Sequence, residues 1–302
     1  MLVNTERKLL KAMVSGAYDI QHCRIIFGNR LLMNLKIKMG MDTKIKEEEE
    51  EDQEVVSLIK QIRHDYDKLM DGVKHLIPNK KFVAEGIISD YAELCLFHQY
   101  IELERAEKQS FSHLLKKIEP HPLYDQFLKD VRGVGPAMSA VIISEIDIHK
   151  AKYISCIYRY AGLDVAEDGR GRGRYKEHLR EYEYTDKKGE IKTKKGITFN
   201  PFLQEKLLGV LAGCFIRAGR NPYQVIYANY KNRLNNHPLH KDKSKLHKHK
   251  MSMRYMIKIF LYDVYKVWRK IEGLEVHTSY AEGKLGIIHT QDTGCSELIY
   301  PD

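Results

Sequence analysis

Residues 55–76 show the most regular alternation of apolar and polar positions in the chain. Apolar side chains recur four and three residues apart, at Val55, Ile59, Ile62, Tyr66, Leu69, Val73 and Leu76. This heptad repeat predicts a long amphipathic helix that packs against a partner helix. Pro78-Asn79 ends it, and a second long helix with a similar seam is predicted at about residues 81–118. The two helices pair either as an antiparallel hairpin or between subunits, and the sequence leaves both arrangements open.

The segments before this repeat extend the helical region to the start of the chain. Residues 3–38 have a helical pattern, with an interruption predicted near Gly28-Asn29. Residues 44–54, KIKEEEEEDQE, form a self-repelling acidic block, which predicts a solvated linker running into a helix, or else an exposed acidic helix end. We therefore expect residues 1–120 to form a helical, coiled-coil region that joins copies of the chain into a homo-oligomer.

Short helices and turns replace the long periods after Pro120-His121-Pro122. One helix is predicted at residues 123–131 and another from Pro136 to about residue 146, because proline is well tolerated as a first helical residue. The segment Gly133-Val134-Gly135 makes a turn between them. A third helix is predicted at residues 150–160.

The following segments predict a small sheet and further helices. Two alternating runs within residues 179–194, around Lys188-Gly189, predict a β-hairpin. Asn200-Pro201 and Asn221-Pro222 each predict a helix start, with asparagine as N-cap and proline in the first turn. A last long helix is predicted at residues 252–271.

These elements together predict a mainly α fold. Long coiled-coil helices in residues 1–120 lead into a helix-hairpin-helix domain with a small β-hairpin at residues 121–274. Residues 275–302 show no interpretable pattern and are expected to form a tail.

Charge adds a partner class to this picture. The net charge is +9 and the isoelectric point is near 9.1, which favours an anionic partner, first of all nucleic acid. Residues 150–258 contain 25 Lys or Arg against 10 Asp or Glu, whereas the rest of the chain contains 25 against 31. The basic character is therefore confined to the second half.

Cysteine usage and hydropathy bear on the compartment. The five cysteines are scattered and form no CxxC pair, which is typical of reduced thiols in a cytoplasmic protein. No apolar run reaches the roughly 18 residues of a membrane span, so no membrane partner is expected. With a nucleic-acid partner, the expected location is cytoplasmic and nucleoid-associated.

The turn at Gly133-Val134-Gly135 is the first candidate binding site. Its glycines let the backbone bend without a Cβ in the way, so free N–H groups of the turn and the next helix point outward together. Such amides suit a phosphate oxygen and hold a sugar-phosphate chain without reading bases. The alternative is a helix end followed by a proline-initiated helix, with no ligand.

Basic side chains supply the other candidate contacts. The run GRGRGR at residues 169–174 is expected to be a loop, and Arg170, Arg172 and Arg174 in it can bind phosphates through their guanidinium groups unless the loop is merely solvated. The predicted hairpin adds Lys187, Lys188, Lys192, Lys194 and Lys195. A third basic stretch comprises Lys231, Arg233, Lys241, Lys243, Lys245, Lys248 and Lys250. Contacts of this kind would make binding depend strongly on salt.

Histidines lie within this third stretch. They are His237, His240, His247 and His249. Histidine is a common zinc ligand, but no cysteine is near and the spacing fits no standard zinc module. No metal site is assigned to them.

Residues 125–163 resemble the start of the C-terminal domain of insertion-sequence transposases of the IS-110/IS-116/IS-902 group. The resemblance rests on Gly133-Val134-Gly135, Glu145-Ile146-Asp147 and Ala161-Gly162-Leu163, in that order. A Gly-Arg-rich loop, a Lys-Lys-Gly at residues 194–196 and the stretch RYMIKIFLYDVYKVWR from Arg254 continue it. The long helices before this domain resemble the coiled-coil segment of the family, and the likeness covers about residues 80–272.

The resemblance implies DNA recombination. It implies an RNase H-like N-terminal domain with four acids, a nucleophilic serine in the C-terminal domain and a guide RNA as a further partner. This chain departs from the family, because its first 80 residues have helical patterns and no serine occurs between Ser155 and Ser244. Whether it is an enzyme is therefore left open. No cofactor is expected, and Mg²⁺ only if the chain is catalytically active.

The sequence therefore predicts a DNA-binding protein of this transposase family that grips the phosphate backbone. Its candidate contacts are Gly133, Val134, Gly135, Arg170, Arg172, Arg174, Lys192, Lys194, Lys195 and Arg254. One alternative is a strand-transferring transposase with acids elsewhere in the chain. Another is an RNA-binding or structural module in which the turn only packs helices.

Overall fold

The computed structural model describes residues 2–40, 48–73, 75–84, 86–219, 221–279 and 283. These residues are mainly helical, with one two-stranded antiparallel sheet, as the sequence predicts at this level. They fall into two units, of which one runs from Ala12 to His113 and the other contains the residues up to Lys11 and those from Leu114 onward. We call them the helical unit and the larger unit. Part of the predicted acidic linker and most of the predicted tail lie outside the described residues.

The helical unit contains parts of α1 (Leu2–Lys38) and α3 (Tyr91–Ile118) and all of α2 (Glu48–Leu69). Its core gathers residues of all three helices: Leu31, Leu35, Leu58, Ile62, Tyr66, Leu94 and Phe97, with Ile88 from the connecting segment. The predicted heptad seam coincides only in part with the buried face of α2. Ile59, which belongs to the seam, is 41% exposed, whereas Leu58, which lies outside it, is buried. At least the face that carries Leu58, Ile62 and Tyr66 therefore packs inside the chain.

Two helix boundaries in this unit differ from the prediction. Helix α1 continues through Gly28, whose Cβ position would lie 3.1 Å from a ring carbon of Tyr100, so the glycine permits a close approach of α3. Helix α3 begins at Tyr91 rather than near residue 81. Its start is fixed by a capping box, in which the Asp90 carboxylate accepts from the Ala92 N–H at 2.6 Å and the Glu93 carboxylate accepts from the Asp90 N–H at 3.3 Å.

The larger unit continues with α4 (Pro122–Gln126), α5 (Pro136–Glu145) and α6 (Ile154–Tyr160). The prediction of a single helix at residues 123–131 is wrong. The backbone leaves helical geometry at Phe127, and a short 3₁₀ turn follows at Leu128–Asp130. The side chains of Phe127 and Leu128 at this break are both buried, so packing in the core accompanies the departure from helical geometry.

The hairpin and both asparagine caps are confirmed. Strands β1 (Arg180–Thr185) and β2 (Ile191–Gly196) pair antiparallel. Asn200 and Asn221 accept hydrogen bonds from backbone N–H groups of the helices that follow them. Those helices are residues 201–217, in which α7 (Pro201–Glu205) passes through a π-helical segment (Lys206–Leu211) into α8 (Ala212–Arg217), and α9 (Pro222–Asn236).

Helix α10 (Lys245–Ile271) forms the centre of the larger unit and begins earlier than predicted. Ser244 caps it, accepting from the His247 N–H at 3.2 Å. Ser252, the predicted start, is buried and donates to the Lys248 carbonyl one turn back. The helix packs its apolar face, including Met256, Phe260 and Trp268, into the core.

Candidate nucleic-acid interface

A groove lined by cations lies between one face of α10 and residues 164–174, which we call the Gly-Arg loop. Its volume is about 790 Å³, and its basic lining residues are Arg170, Lys243, His247, Lys250, Arg254 and Lys258. Tyr175, Tyr230 and Tyr255 add aromatic rings to the lining. Among the described residues, no Asp or Glu lines it. We call this cavity the basic groove.

The wall that α10 contributes follows from helical periodicity. His247, Lys250, Arg254 and Lys258 recur three or four residues apart, so they share one side of the helix. The apolar residues that the sequence assigned to the helix core lie on another side. The basic groove is thus the polar face of an amphipathic helix, covered in part by the Gly-Arg loop.

Two of these cations are largely withdrawn from water. Burial lowers the pKa of Arg254 and of Lys258 below their ordinary values, while the carboxylate of Asp164 opposes the shift in both. Lys258 Nζ lies 5.4 Å from the ring centroid of Tyr158 and forms no ion pair with a described carboxylate. Positive charge that is partly desolvated and unpaired destabilises the free protein, and a bound anion would relieve it.

The Gly-Arg loop is an ordered turn rather than a solvated coil. Arg172 Nε lies 2.9 and 2.8 Å from the two carboxylate oxygens of Asp164, and the Arg172 side chain is only 11% exposed. Arg172 therefore holds the loop together and is not free to bind phosphate. Arg170 and Arg174 are exposed, and the nearest acid to Arg170 is Asp168, at 3.9 Å.

Arg254 holds the base of the same loop. Its guanidinium group donates to the carbonyl oxygens of Gly162 and Arg172, at 2.8 and 3.1 Å. A Cβ at Gly171 would lie 2.8 Å from the guanidinium carbon of Arg254, so a larger residue there would displace this guanidinium group from its present position. Arg254 is a positioning residue that also contributes charge to the basic groove.

The turn at residues 133–135 has free amides at its exposed end. Gly133 has φ +101°, and Gly135 is an exposed N-cap of α5 without a side-chain cap. Among the described residues, no acceptor is found for the N–H groups of Gly135, Ala137 and Met138. Val134 is different, since its side chain is buried and its N–H donates to the Val131 carbonyl at 2.9 Å.

The turn and the Gly-Arg loop do not form one site. A Cβ at Gly133 would lie 2.9 Å from the Phe215 ring, whereas Gln204 donates to the Gly162 carbonyl at 2.6 Å. Gln204 and Phe215 lie near opposite ends of residues 201–217, about 15 Å apart along a helix axis. The two candidates therefore contact different ends of residues 201–217 and are separate points on the larger unit.

The lysines of the hairpin differ in the side chains that they contact. Lys192 forms ion pairs with Asp186 and with Glu190, the latter at 3.1 Å. Lys195 pairs with Glu181 at 3.5 Å. Lys194 instead lies over the rings of Tyr182 and Tyr184.

The third basic stretch is divided between the groove and the interior. Lys243 and Lys250 line the basic groove, whereas Lys248 is buried and donates to the Lys241 carbonyl at 2.7 Å. His249 Nδ1 lies 2.6 Å from the Tyr227 hydroxyl. No group of three or more His, Cys, Asp or Glu side chains arranged to hold a metal occurs in the described part of the chain.

Among the basic and aromatic residues of the groove, sequence reasoning missed Tyr175, Tyr230, Tyr255 and Lys258. A signal for Lys258 exists, because it continues the three- and four-residue spacing of the basic positions from His247. The tyrosines give no common local signal, since Tyr230 joins the groove from α9, Tyr255 from α10 and Tyr175 from the residue after the Gly-Arg loop.

Comparison with models of protein families, with curated proteins and with solved structures found no match. Among the described residues, no helix has both the length and the apolar character needed to cross a membrane.

Proposed function

We propose that the larger unit binds nucleic acid, with duplex DNA as the preferred form, through the sugar-phosphate backbone. The observation that carries the proposal is the basic groove, which collects five Lys or Arg residues and no described acid along its lining. Backbone phosphates match such a surface, and neutralising them releases counterions, which drives binding.

The turn at residues 133–135 is proposed as the hairpin of a helix-hairpin-helix. Its support is the set of unpaired N–H groups at Gly135, Ala137 and Met138, at the start of α5. These amides together with the helix dipole suit one phosphate oxygen. A backbone that crosses both the turn and the basic groove would contact the protein at two points.

This activity agrees with the resemblance of residues 125–163 to insertion-sequence transposases. We propose accordingly that the chain acts in DNA transposition or recombination, with copies of the chain pairing through the part of the heptad seam that is exposed, at Ile59 and Val73. A guide RNA is a further partner that the resemblance implies.

The test is a titration of the full chain with labelled duplex DNA, single-stranded DNA and duplex RNA at several salt concentrations. The proposal expects duplex DNA to bind most tightly, with log affinity falling linearly against log salt. A preference for RNA would favour the RNA-binding alternative. Binding that does not change with salt would contradict backbone contact altogether.

A further inference from the structure

The two faces of the β-hairpin carry different kinds of side chain. Cross-strand partners in an antiparallel pair point to the same side, and successive residues alternate sides. One side carries Arg180, Tyr182, Tyr184, Lys192 and Lys194, with Gly196 opposite Arg180. The other side carries Glu181, Glu183, Thr185, Ile191, Thr193 and Lys195. We call these the basic face and the opposite face.

Both acids of strand β1 thus lie on the opposite face, and the basic face has no acid within the strands. Its side chains are exposed as well, with Tyr182 45% and Tyr184 38% accessible. No residue of β1 is buried. An exposed ribbon with cations and aromatic rings on one side only is complementary in charge to a polyanion.

The contacts within the basic face leave two cations available. Lys192 is held by Asp186 and Glu190 at the turn. Arg180 is exposed, and no described residue forms a hydrogen bond or an ion pair with its side chain. Lys194 Nζ lies 5.2 Å from the Tyr182 ring centroid and 4.9 Å from that of Tyr184, which fixes its position without neutralising its charge.

Glycine at residue 196 is part of this arrangement. A Cβ there would lie 2.5 Å from a ring carbon of Tyr182, so the ring lies across the backbone of the partner strand. This contact places Tyr182 beside the partner strand, and Lys194 lies over its ring. The two side chains thus contact each other within the basic face.

We propose that the hairpin enters the major groove of B-form DNA with its basic face toward the DNA. This inference rests on the proposed function, and it adds that the hairpin prefers a B-form duplex to an A-form one. A two-stranded ribbon fits the B-form major groove, which is about 12 Å wide. The A-form RNA major groove is too deep and narrow for side chains to read. Strands of six residues are about 20 Å long and lie along the groove when one face of the ribbon is turned toward the base edges.

The test compares two variants of the full chain by fluorescence anisotropy with a DNA duplex and an RNA duplex of equal length. In the first variant, Arg180→Ala and Lys194→Ala are combined. The matched control combines Arg105→Ala and Lys108→Ala on helix α3 of the helical unit, which also removes two positive charges, from side chains that pair with Glu102 and Glu104. Circular dichroism and thermal melting check that each variant folds like the wild type.

We expect the double variant to bind duplex DNA at least about tenfold more weakly and to lower the salt slope by about 2. The control should stay within about twofold of the wild type, and the double variant should bind duplex RNA as the wild type does. The wild type should also protect guanine N7, which faces the major groove, from methylation, and the double variant should not.

Equal affinity of the double variant and the wild type for duplex DNA would overturn the hairpin inference and leave the proposed function standing. Equal losses on DNA and RNA would also overturn it, because the contact would then not depend on the B-form groove. Failure of the wild type to bind any duplex DNA would instead remove the proposed function, and this inference with it.

Discussion

Arg254 and Gln204 donate hydrogen bonds to the same two carbonyl oxygens, those of Gly162 and Arg172. The Arg254 distances are 2.8 and 3.1 Å, and the Gln204 distances are 2.6 and 3.2 Å. Gly162 precedes the Gly-Arg loop and Arg172 lies near its end. Two helices, α7 and α10, therefore hold the loop closed at its base, and they hold it beside the basic groove.

The first prediction concerns this shared brace. Arg254→Ala should lower the free energy of unfolding by about 1–3 kcal/mol, because two partly buried carbonyl groups each lose a donor. Urea denaturation measures the change. In the double variant Arg254→Ala/Gln204→Ala, the loss in the free energy of unfolding should differ from the sum of the two single losses by at least about 0.5 kcal/mol, because the two donors share both acceptors. Additive losses would show that the side chains act independently.

The second prediction separates the two glycines of the turn. Gly133→Ala should destabilise the fold by about 1–3 kcal/mol, because the backbone has φ +101° and the new Cβ would meet the Phe215 ring. Gly135 has extended geometry and open space around its Cβ position, so Gly135→Ser should leave stability nearly unchanged.

The serine hydroxyl at residue 135 would cap the free N–H groups of α5 and compete with a phosphate. Gly135→Ser should therefore weaken binding to duplex DNA several-fold in a gel-shift titration. Unchanged affinity in this folded variant would exclude the turn from the interface and favour a purely structural role.

The third prediction divides the arginines of the Gly-Arg loop. Replacing Arg170 and Arg174 together by alanine should reduce the slope of log affinity against log salt by about 2, because both side chains are exposed. Arg172→Ala should instead lower the free energy of unfolding by about 2 kcal/mol, since it breaks a two-oxygen contact with Asp164.

The matched control is Lys108→Ala in the helical unit, where the lysine pairs with Glu104 at 3.4 Å on the surface of α3. It removes one positive charge without touching the Gly-Arg loop, so the salt slope should not change. If the control reduced the slope as much per charge as the loop variant does, net charge rather than the loop would govern binding.

Local signals in the sequence were sufficient where one short segment determines the structure. The alternating runs around Lys188-Gly189 predicted the hairpin, and Asn200 and Asn221 predicted their helix starts. In each case the signal and the hydrogen bonds that it forms lie within a few residues of each other. The mainly helical class followed from periodicity in the same way.

Contacts between residues far apart in the chain determine the features that local sequence signals did not predict. Nothing near Arg172 shows that its partner is Asp164 rather than a phosphate, because composition alone describes both as a basic loop. Gly28 resembles a helix interruption until Tyr100 is placed beside it. The basic groove itself joins residues from the loop, from α9 and from α10, so only the fold reveals that their charges accumulate in one place.

The last prediction concerns pH and the start of α4. The ring of His121 caps this helix, since its Nδ1 accepts a hydrogen bond from the Leu123 N–H at 3.2 Å. Burial lowers the pKa of His121 below its usual value, and the carboxylates of Glu272 and Glu6 oppose this shift only in part. Both observations favour the neutral ring in the folded chain.

Below about pH 6.5 the unfolded chain takes up a proton on His121 that the folded chain resists, so the free energy of unfolding should fall as the pH is lowered. His121→Asn keeps an oxygen acceptor at the N-cap but removes the titrating group. The loss of stability between about pH 7.5 and 5.5 should therefore be smaller in this variant, measured by urea denaturation at each pH. Other titrating groups affect both proteins alike, so parallel pH profiles for variant and wild type would show that His121 does not contribute to the acid sensitivity.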